Sequence, residues 1–599
     1  MKKLLPMLLV LALLLAAGCT PATENPPQTT GTATQTATPV PEKIDASEVD
    51  VLTEQWIVTE RSFTSETEYK AETVLLDVEF KNRKTGTTLL IPGFWDGDNT
   101  FRVRFAPTEC GIWDYTTKCD GDTSINGLTG TVGANPYTGD LEIYKRGFVK
   151  TVSGTKHFMY NDGTPFFYLG DTHWTMLKEE FDTLGKSGEG KVEGTSHFKY
   201  IVDKRVEQGF TVYQSEPIGI TATLNDGVVN KNDIKGLQKA DQYFQYIAEK
   251  GLVHANAQFF YTTTMTDKLI NNTALLKDIS HHWVARFGAY PVLWTLAQEI
   301  DNDNFAESNK SSAFTYQNNP WVKVAEYIHQ FDAYQHPLTG HQEHTHYTTV
   351  TGKGTNADVK VGISAFFSSQ VTQATGHSWY AAQWKPKDLT INAQIGDDVP
   401  KDYWNSPKVG VNYEGAYEQL ATKNFGARAQ AWITYLSGFR GYGYGVQDIW
   451  YYNSTYEADT TANDGVDKIT PKDKRMKWPA SIELPSAYQL GYLRSFFESF
   501  DWWNLVPDFN DQKVFKPLNA KDVFYVCSAK GDEIVVVYFY SFTKATGTVL
   551  GLNGTYTAQW FNPRTNEYTS IGEINADASG WSVPERPEAE DFVLLLKKK

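Results

Sequence analysis

The spacing of apolar and polar positions divides the chain into three patterned regions. From about Val49 to Asp140, short runs alternate apolar with polar residues: TVLLDVEF, TTLLIPGFW, TFRVRFAP and IWDYTTKC. Turn signals at Lys84 to Gly86, Asp96 to Asn99 and Gly121 to Asp122 separate them, the spacing of an antiparallel sandwich. After the turn Asn161-Asp162-Gly163 the apolar runs become continuous, as in strands buried on both faces, and helical stretches separate them. The strands read PFFYLGD, FTVYQSE, LVHANAQFF, PVLWTLAQE, PLTGHQ, VGISAFF, KVGVNYE and FRGYGYG. Helices are expected over Phe198 to Gln208, Leu237 to Lys250, Ala274 to Arg286, Trp321 to Tyr334, Phe425 to Ser437 and Tyr488 to Phe500.

Eight strands separated mostly by helices predict a (β/α)8 TIM barrel. The alternative, an open doubly wound sheet, lacks a Gly-rich phosphate fingerprint after any strand. From about Trp502 the alternation returns in DVFYVCSA, EIVVVYFY, YTAQWFNPRT and DFVLLLKK, which predicts a second small sandwich. The expected chain is therefore multidomain: a barrel at 148–500, flanked by antiparallel β-sandwich domains at 49–147 and 501–599. No repeat of solenoid period interrupts it.

Composition changes this picture at the N-terminus. Lys2 and Lys3 precede an apolar run from Leu4 to Ala17, too short to span a bilayer comfortably, and Gly18 and Cys19 close it. LLAAGCT resembles a bacterial lipoprotein signal over residues 1–19, with Cys19 the lipidated residue; an ordinary secretory signal is the alternative. Residues 20–48, rich in Thr, Pro and Gln, are expected to be a disordered tether. The expected location is extracytoplasmic, lipid-anchored at the bacterial cell surface.

A net charge of -16 argues against nucleic acid as a partner. Beyond Cys19 only Cys110, Cys119 and Cys527 remain, which is neither a disulfide scaffold nor a clustered metal pattern. Cys110 and Cys119 could bridge across a hairpin or remain separate thiols. An aromatic content of 14% supplies faces able to stack on sugar rings, although most such rings serve cores.

In a parallel barrel the loops after the strands build the active face. The residues there are Asp171 and His173 after the first strand, Glu216 after the second, and Gln298 and Glu299 after the fourth. His341, Glu343 and His344 follow the fifth, Ser368 to Gln370 the sixth, Glu414 and Glu418 the seventh, and Tyr444 the eighth. No G-x-S-x-G elbow supports serine hydrolase chemistry. HQEHTH, with His341, His344 and His346, is the one His cluster that could suggest a metal, and it reads more readily as a polar rim. Paired carboxylates remain, the equipment of glycoside hydrolysis. No cofactor is implied.

PFFYLGDTHW, RVEQGFTVYQ, VLWTLAQE, HPLTGH, VNYEGAYE and GYGYGVQDIW occur in an order that resembles the apiosidase-like glycoside hydrolases over Phe148 to Phe500. WFNPRTNEY resembles the C-terminal domain given a collagen-binding label in such proteins. The resemblance implies a glycoside hydrolase with Glu299 as acid/base and Glu414 as nucleophile, on opposed strands as in retaining barrels; with the signal sequence, the expectation is a cell-surface enzyme acting on plant or microbial polysaccharide. From their strand-end positions Asp171, His173, Trp174, Glu216, Gln298, His341, Tyr444 and Trp450 are the expected substrate-binding residues; a structural bond to the strand-one loop is an equal alternative for Asp171, and a core or supporting role is the alternative for His173, Trp174, Glu216, His341, Tyr444 and Trp450. The chain departs from the family pattern at Ala297-Gln298-Glu299, where Gly-Gly-Asp is frequent, and at Gly415, where Pro is usual. A glycan-binding or adhesin lipoprotein on an inactive barrel is the rival reading. Oligomeric state is not legible.

Overall fold

A computed structural model of the chain describes residues 43–174, 176–178, 181–182, 194–215, 227–261, 267–298, 321–342, 366–369, 409–415, 418, 425–450, 476, 478–508, 511–520, 522, 526–541, 543–577 and 579–599. The lipidation residue Cys19 lies outside them.

The N-terminal domain holds a five-stranded sheet and a three-stranded sheet. Their inner faces meet where Phe80 of Asp77–Asn82 stacks on Phe105 of Thr100–Phe105, ring centroids 3.9 Å apart. Two expectations need correction here. The larger sheet is mixed rather than antiparallel, because Val51–Glu54 pairs in parallel with the strand Thr129–Asn135. The N-terminal domain also includes residues before 49: the Ile44 amide donates to Asn135 Oδ1, the Asn135 side chain donates back to the Ile44 carbonyl, and Asp45 caps the turn Ala46–Glu48. Cys110 and Cys119 are free thiols. They sit at opposite ends of the strand Gly111–Lys118, roughly 30 Å apart along an extended chain, so no hairpin bridge can join them.

Eight strands form one parallel sheet in the order fourth, third, second, first, eighth, seventh, sixth, fifth. In chain order they are Tyr168–His173, Val212–Ser215, Val253–Tyr261, Val292–Gln298, His341–Gln342, Phe366–Ser369, Val409–Asn412 and Gly441–Tyr444. The two ends of the sheet approach each other: the Trp294 amide donates to the Pro337 carbonyl at 3.0 Å, and the Thr339 amide donates to Trp294 at 2.8 Å. The catalytic-type domain is thus barrel-like. PFFYLGD, expected as one strand, divides into a hairpin arm Pro165–Phe166 and the first strand proper.

The helix Lys231–Glu249 starts earlier than its apolar stripe suggests, because Asn230 and Asp233 form a reciprocal cap on its first turn. Its buried face, Ile234, Leu237, Ala240, Phe244 and Ile247, recurs at helical spacing. Together with Thr273–Phe287 it carries the N-terminal domain: Arg286 bonds Asp96 and Asp241, and Arg104 bonds Asp241. No helix among the described residues is long and apolar enough to cross a membrane.

The C-terminal domain has a six-stranded antiparallel sheet and a three-stranded one. Along Ile534–Phe539 and on to Tyr540 the side chains alternate. Val535, Val537 and Phe539 face the domain's own core, while Val536, Tyr538 and Tyr540 face the barrel helices Phe425–Leu436 and Pro485–Phe497. Arg428 fixes that contact by two bonds to Asp591, 2.8 and 2.9 Å. The flanking domains therefore share buried cores with the barrel.

Candidate active site

Which face of each strand a side chain occupies decides what it can do. In the first strand Tyr168, Gly170 and Thr172 point into the lumen, with Trp174 beyond them; Leu169, Asp171 and His173 point at the surrounding helices. The contacts show it. Tyr168 donates its hydroxyl to Gln214 Oε1, and Gln214 Nε2 reaches Thr172. Asp171, by contrast, accepts from Arg205 Nε at 2.7 Å, on the helix His197–Glu207, and contacts His173 Nε2 at 2.5 Å. His173 stacks on Tyr213, centroids 4.4 Å apart, and Tyr213 packs on Phe198 of that same helix.

The expected sugar contacts of Asp171, His173 and Tyr444 are therefore corrected. All three are fully buried between strands and helices. Tyr444 continues the same layer: its hydroxyl donates to Glu418, and Arg205 lies 5.2 Å from the centre of its ring. Burial raises the Asp171 carboxyl pKa, but Arg205 and then His173 outweigh it and hold the group below the usual carboxylate range. It is an ionised anchor for the first helix. For Glu418 burial wins, and its pKa is raised although Tyr444 and the Ser486 amide donate to it. This carboxyl ties the loop after the seventh strand to the start of the helix Pro485–Phe497.

A second group of side chains gathers where the seventh strand ends. Glu414 follows the seventh strand, buried, with Oε2 at 3.6 Å from His341 Nε2 on the fifth. Burial lowers the His341 pKa to about 3, so its imidazole is neutral at neutral pH. Trp174 crosses above, its ring 5.6 Å from His341 and 5.9 Å from Tyr413. Trp174 and His341 thus do come together with Glu414, as expected, and form an aromatic wall beside it.

A residue the strand-end reading passed over supports this group. Gln214, on the second strand, crosses the lumen and donates to the Tyr413 carbonyl at 2.7 Å, immediately before Glu414. It fits because Gly170 and Gly443 flank it: a Cβ on either would lie 2.1 or 2.7 Å from Gln214 Oε1. The signal was present in the sequence. GYGY puts glycines at alternate positions and YLGDTHW places Gly170 beside Asp171, which marks the crowded inner face and assigns Asp171 and Tyr444 to the outer one.

Glu299, Glu216, Glu343, His344 and His346 lie outside the described residues, as do the side chains of Gln298 and Trp450. The backbone leading to Glu299 is informative. Leu296 is a buried non-glycine residue at φ +65°, and the pairing of the fourth strand with the third shifts register beside it. Such an irregularity re-aims the side chains that follow, costs about 1–3 kcal/mol, and concentrates at functional sites. Counted through the bridge from Trp294 to Leu338, just ahead of the fifth strand, the fourth and seventh strands are three steps apart. Among the described residues no three His, Cys, Asp or Glu side chains gather as metal ligands.

Comparison with known proteins matches residues 153–504 to a family described as apiosidase-like, catalytic domain. Residues 52–120 match a domain of unknown function, and residues 506–597 a domain type with a collagen-binding label taken from a collagenase. No curated protein matches the chain. Among solved structures, one described as a glycoside hydrolase of Bacteroides vulgatus is 15% identical, covers 92% of this chain and 100% of its own, and superposes with a TM-score of 0.61. A family 5 glycoside hydrolase from the same organism is 17% identical over 76% of this chain and 94% of its own, with a TM-score of 0.54. At these identities the likeness speaks for the fold.

Proposed function

The chain belongs to the apiosidase-like catalytic-domain family and is a glycoside hydrolase, and from that premise we propose that Glu414 is the nucleophile and Glu299 the acid/base of a retaining polysaccharide hydrolase. The reading includes a complete (β/α)8 barrel between two β-sandwiches. The observation that carries it is the position of Glu414, at the carboxyl end of the seventh strand, beside a neutral imidazole and an indole. An ionised carboxylate there can attack an anomeric carbon, while an acid on the fourth strand protonates the leaving oxygen and later activates water. His341 steadies the carboxylate without neutralising it. Trp174 offers an apolar face to a sugar ring. Gln298, Glu216 and Trp450 complete the substrate contacts of this reading. Asp171, His173 and Tyr444 stand behind the wall and position it.

The substrate is a neutral plant or microbial polysaccharide, and the enzyme works on the cell surface, tethered through a lipidated Cys19. A panel of such polysaccharides, with product analysis and proton NMR of the first anomer released, tests the chemistry. Retention with loss of activity in Glu299→Gln and Glu414→Gln is the expected result, and an inverted product removes the nucleophile role. Cys19→Ser is expected to move the protein from the membrane to the soluble fraction; unchanged membrane recovery removes the anchor.

A further inference from the structure

A second cavity lies on the opposite side of the barrel from the mouth. It is a cleft of about 490 Å³ between the N-terminal domain and the helix Lys231–Glu249. Its floor includes Tyr290, two residues before the fourth strand begins, so the strand's length, roughly 20 Å, separates it from Gln298 at the far end. Clefts between domains are favoured places for ligands, and this volume is within the range that small ligands fill.

The lining has a specific chemistry. Tyr137 and Tyr144 form a tilted aromatic wall, centroids 5.5 Å apart. Gln245 and Glu249 bring an amide and a carboxylate to the rim, held together at 2.7 Å. Arg104 is in the wall, but Glu60 and Asp241 already neutralise it, at 3.0 and 2.7 Å. The Tyr290 hydroxyl belongs to a residue only 7% exposed and makes no hydrogen bond among the described residues. Burial, with Asp241 and Glu60 adding to it against Arg104, pushes its pKa up to about 12, so it stays protonated and can donate.

Each feature narrows the ligand. The Tyr290 hydroxyl is a donor on the lining of the cleft, and a ligand acceptor there would meet it. An apolar ligand would bury Gln245 and Glu249 against groups that cannot bond them. An anion would meet Glu60 and Glu249 with no free cation to offset them. What satisfies the aromatic wall and the donors and acceptors together is a neutral molecule with apolar ring faces and many hydroxyls. We propose that this cleft is a second, non-catalytic binding site for a neutral oligosaccharide segment, which holds the polymer while the mouth cuts elsewhere along it.

Isothermal titration of the full chain with cellohexaose, mannohexaose and xylohexaose, with tri-galacturonate as the anionic probe, tests the proposal. Glu414→Gln serves as parent to suppress turnover. Gln245→Trp fills the cleft from an exposed helix position, and Tyr290→Phe removes the hydroxyl alone; equal thermal midpoints verify that both fold. We expect at least one neutral hexaose to bind the parent, Gln245→Trp to lose one site per chain, and Tyr290→Phe to weaken that site about fivefold. Either change made in the active chain leaves hydrolysis of a short aryl glycoside unchanged. No binding by any of the three hexaoses, binding indifferent to both substitutions, or preference for tri-galacturonate overturns it.

Discussion

Asp171 and Glu414 are both buried carboxylates at the carboxyl ends of strands, yet their neighbours differ in kind. Asp171 faces the helix layer, where Arg205 and His173 both bond its Oδ2. Glu414 borders the mouth beside a neutral imidazole. A cation within bonding distance makes a carboxylate a fixed strut, and Arg205 does this to Asp171. Strand-end position alone therefore does not define an active carboxylate; the groups that surround it there matter as well.

Removing each carboxylate separates the two roles. Glu414→Gln, and likewise Glu299→Gln, should lower kcat/KM by a factor on the order of 10³ or more, about 4 kcal/mol in transition-state terms, with an unchanged circular dichroism spectrum. Asp171→Ala should do the reverse. It leaves Arg205 buried without its anion, a loss of about 3–5 kcal/mol in stability seen in thermal or urea unfolding. Below the melting transition kcat/KM should stay within about threefold of the native value, and a thousandfold loss of activity at unchanged stability would put Asp171 in the mouth.

The pH dependence of stability follows from the same contrast. His341 is held at about 3 when folded, below the 6.5 of the unfolded chain. The unfolded state therefore binds the proton first, and the stability His341 contributes is present above pH 6.5 and lost as pH falls towards 3. His341→Gln should be less sensitive than the native protein across that window, by up to about 1.4 kcal/mol per pH unit. Parallel curves for the two proteins would mean that the imidazole titrates normally.

The smallest effect is expected at Gln214. Gln214→Leu removes the bond to the Tyr413 carbonyl, and we expect kcat to fall about tenfold, with a stability loss of about 1–3 kcal/mol. The KM should change little, because the residue orients Glu414 and does not meet the sugar. An equal fall in kcat for Tyr444→Phe, whose partner Glu418 stands in the outer layer, would erase the distinction between faces.

Much of this was legible in the chain. Continuous apolar runs such as PVLWTLAQ announce strands buried on both faces, and the order of eight of them gave the barrel-like sheet. Glu414 could be located because the seventh run ends abruptly at a carboxylate. The facing of Asp171 and Tyr444 was harder to see, since both layers of a barrel strand are buried and hydrophobicity does not tell them apart. Only the alternate glycines mark the inner face, and they do so through the space Gln214 needs. The left-handed Leu296 carries no sequence signal, because leucine has no preference for that conformation. Docking of Ile44 ahead of the first strand depends on one asparagine 91 residues away, a contact no local pattern records.

The most direct measurement is covalent trapping. Once the released sugar is known, the full chain is incubated with the corresponding 2-fluoro glycoside carrying an activated leaving group, and its peptides are mapped by mass. We expect one adduct per chain, an ester on Glu414, formed as the leaving group departs. An adduct on Asp171, Glu418 or Glu299, or steady turnover of the native substrate with no adduct at all, would contradict the assignment of Glu414 as the nucleophile.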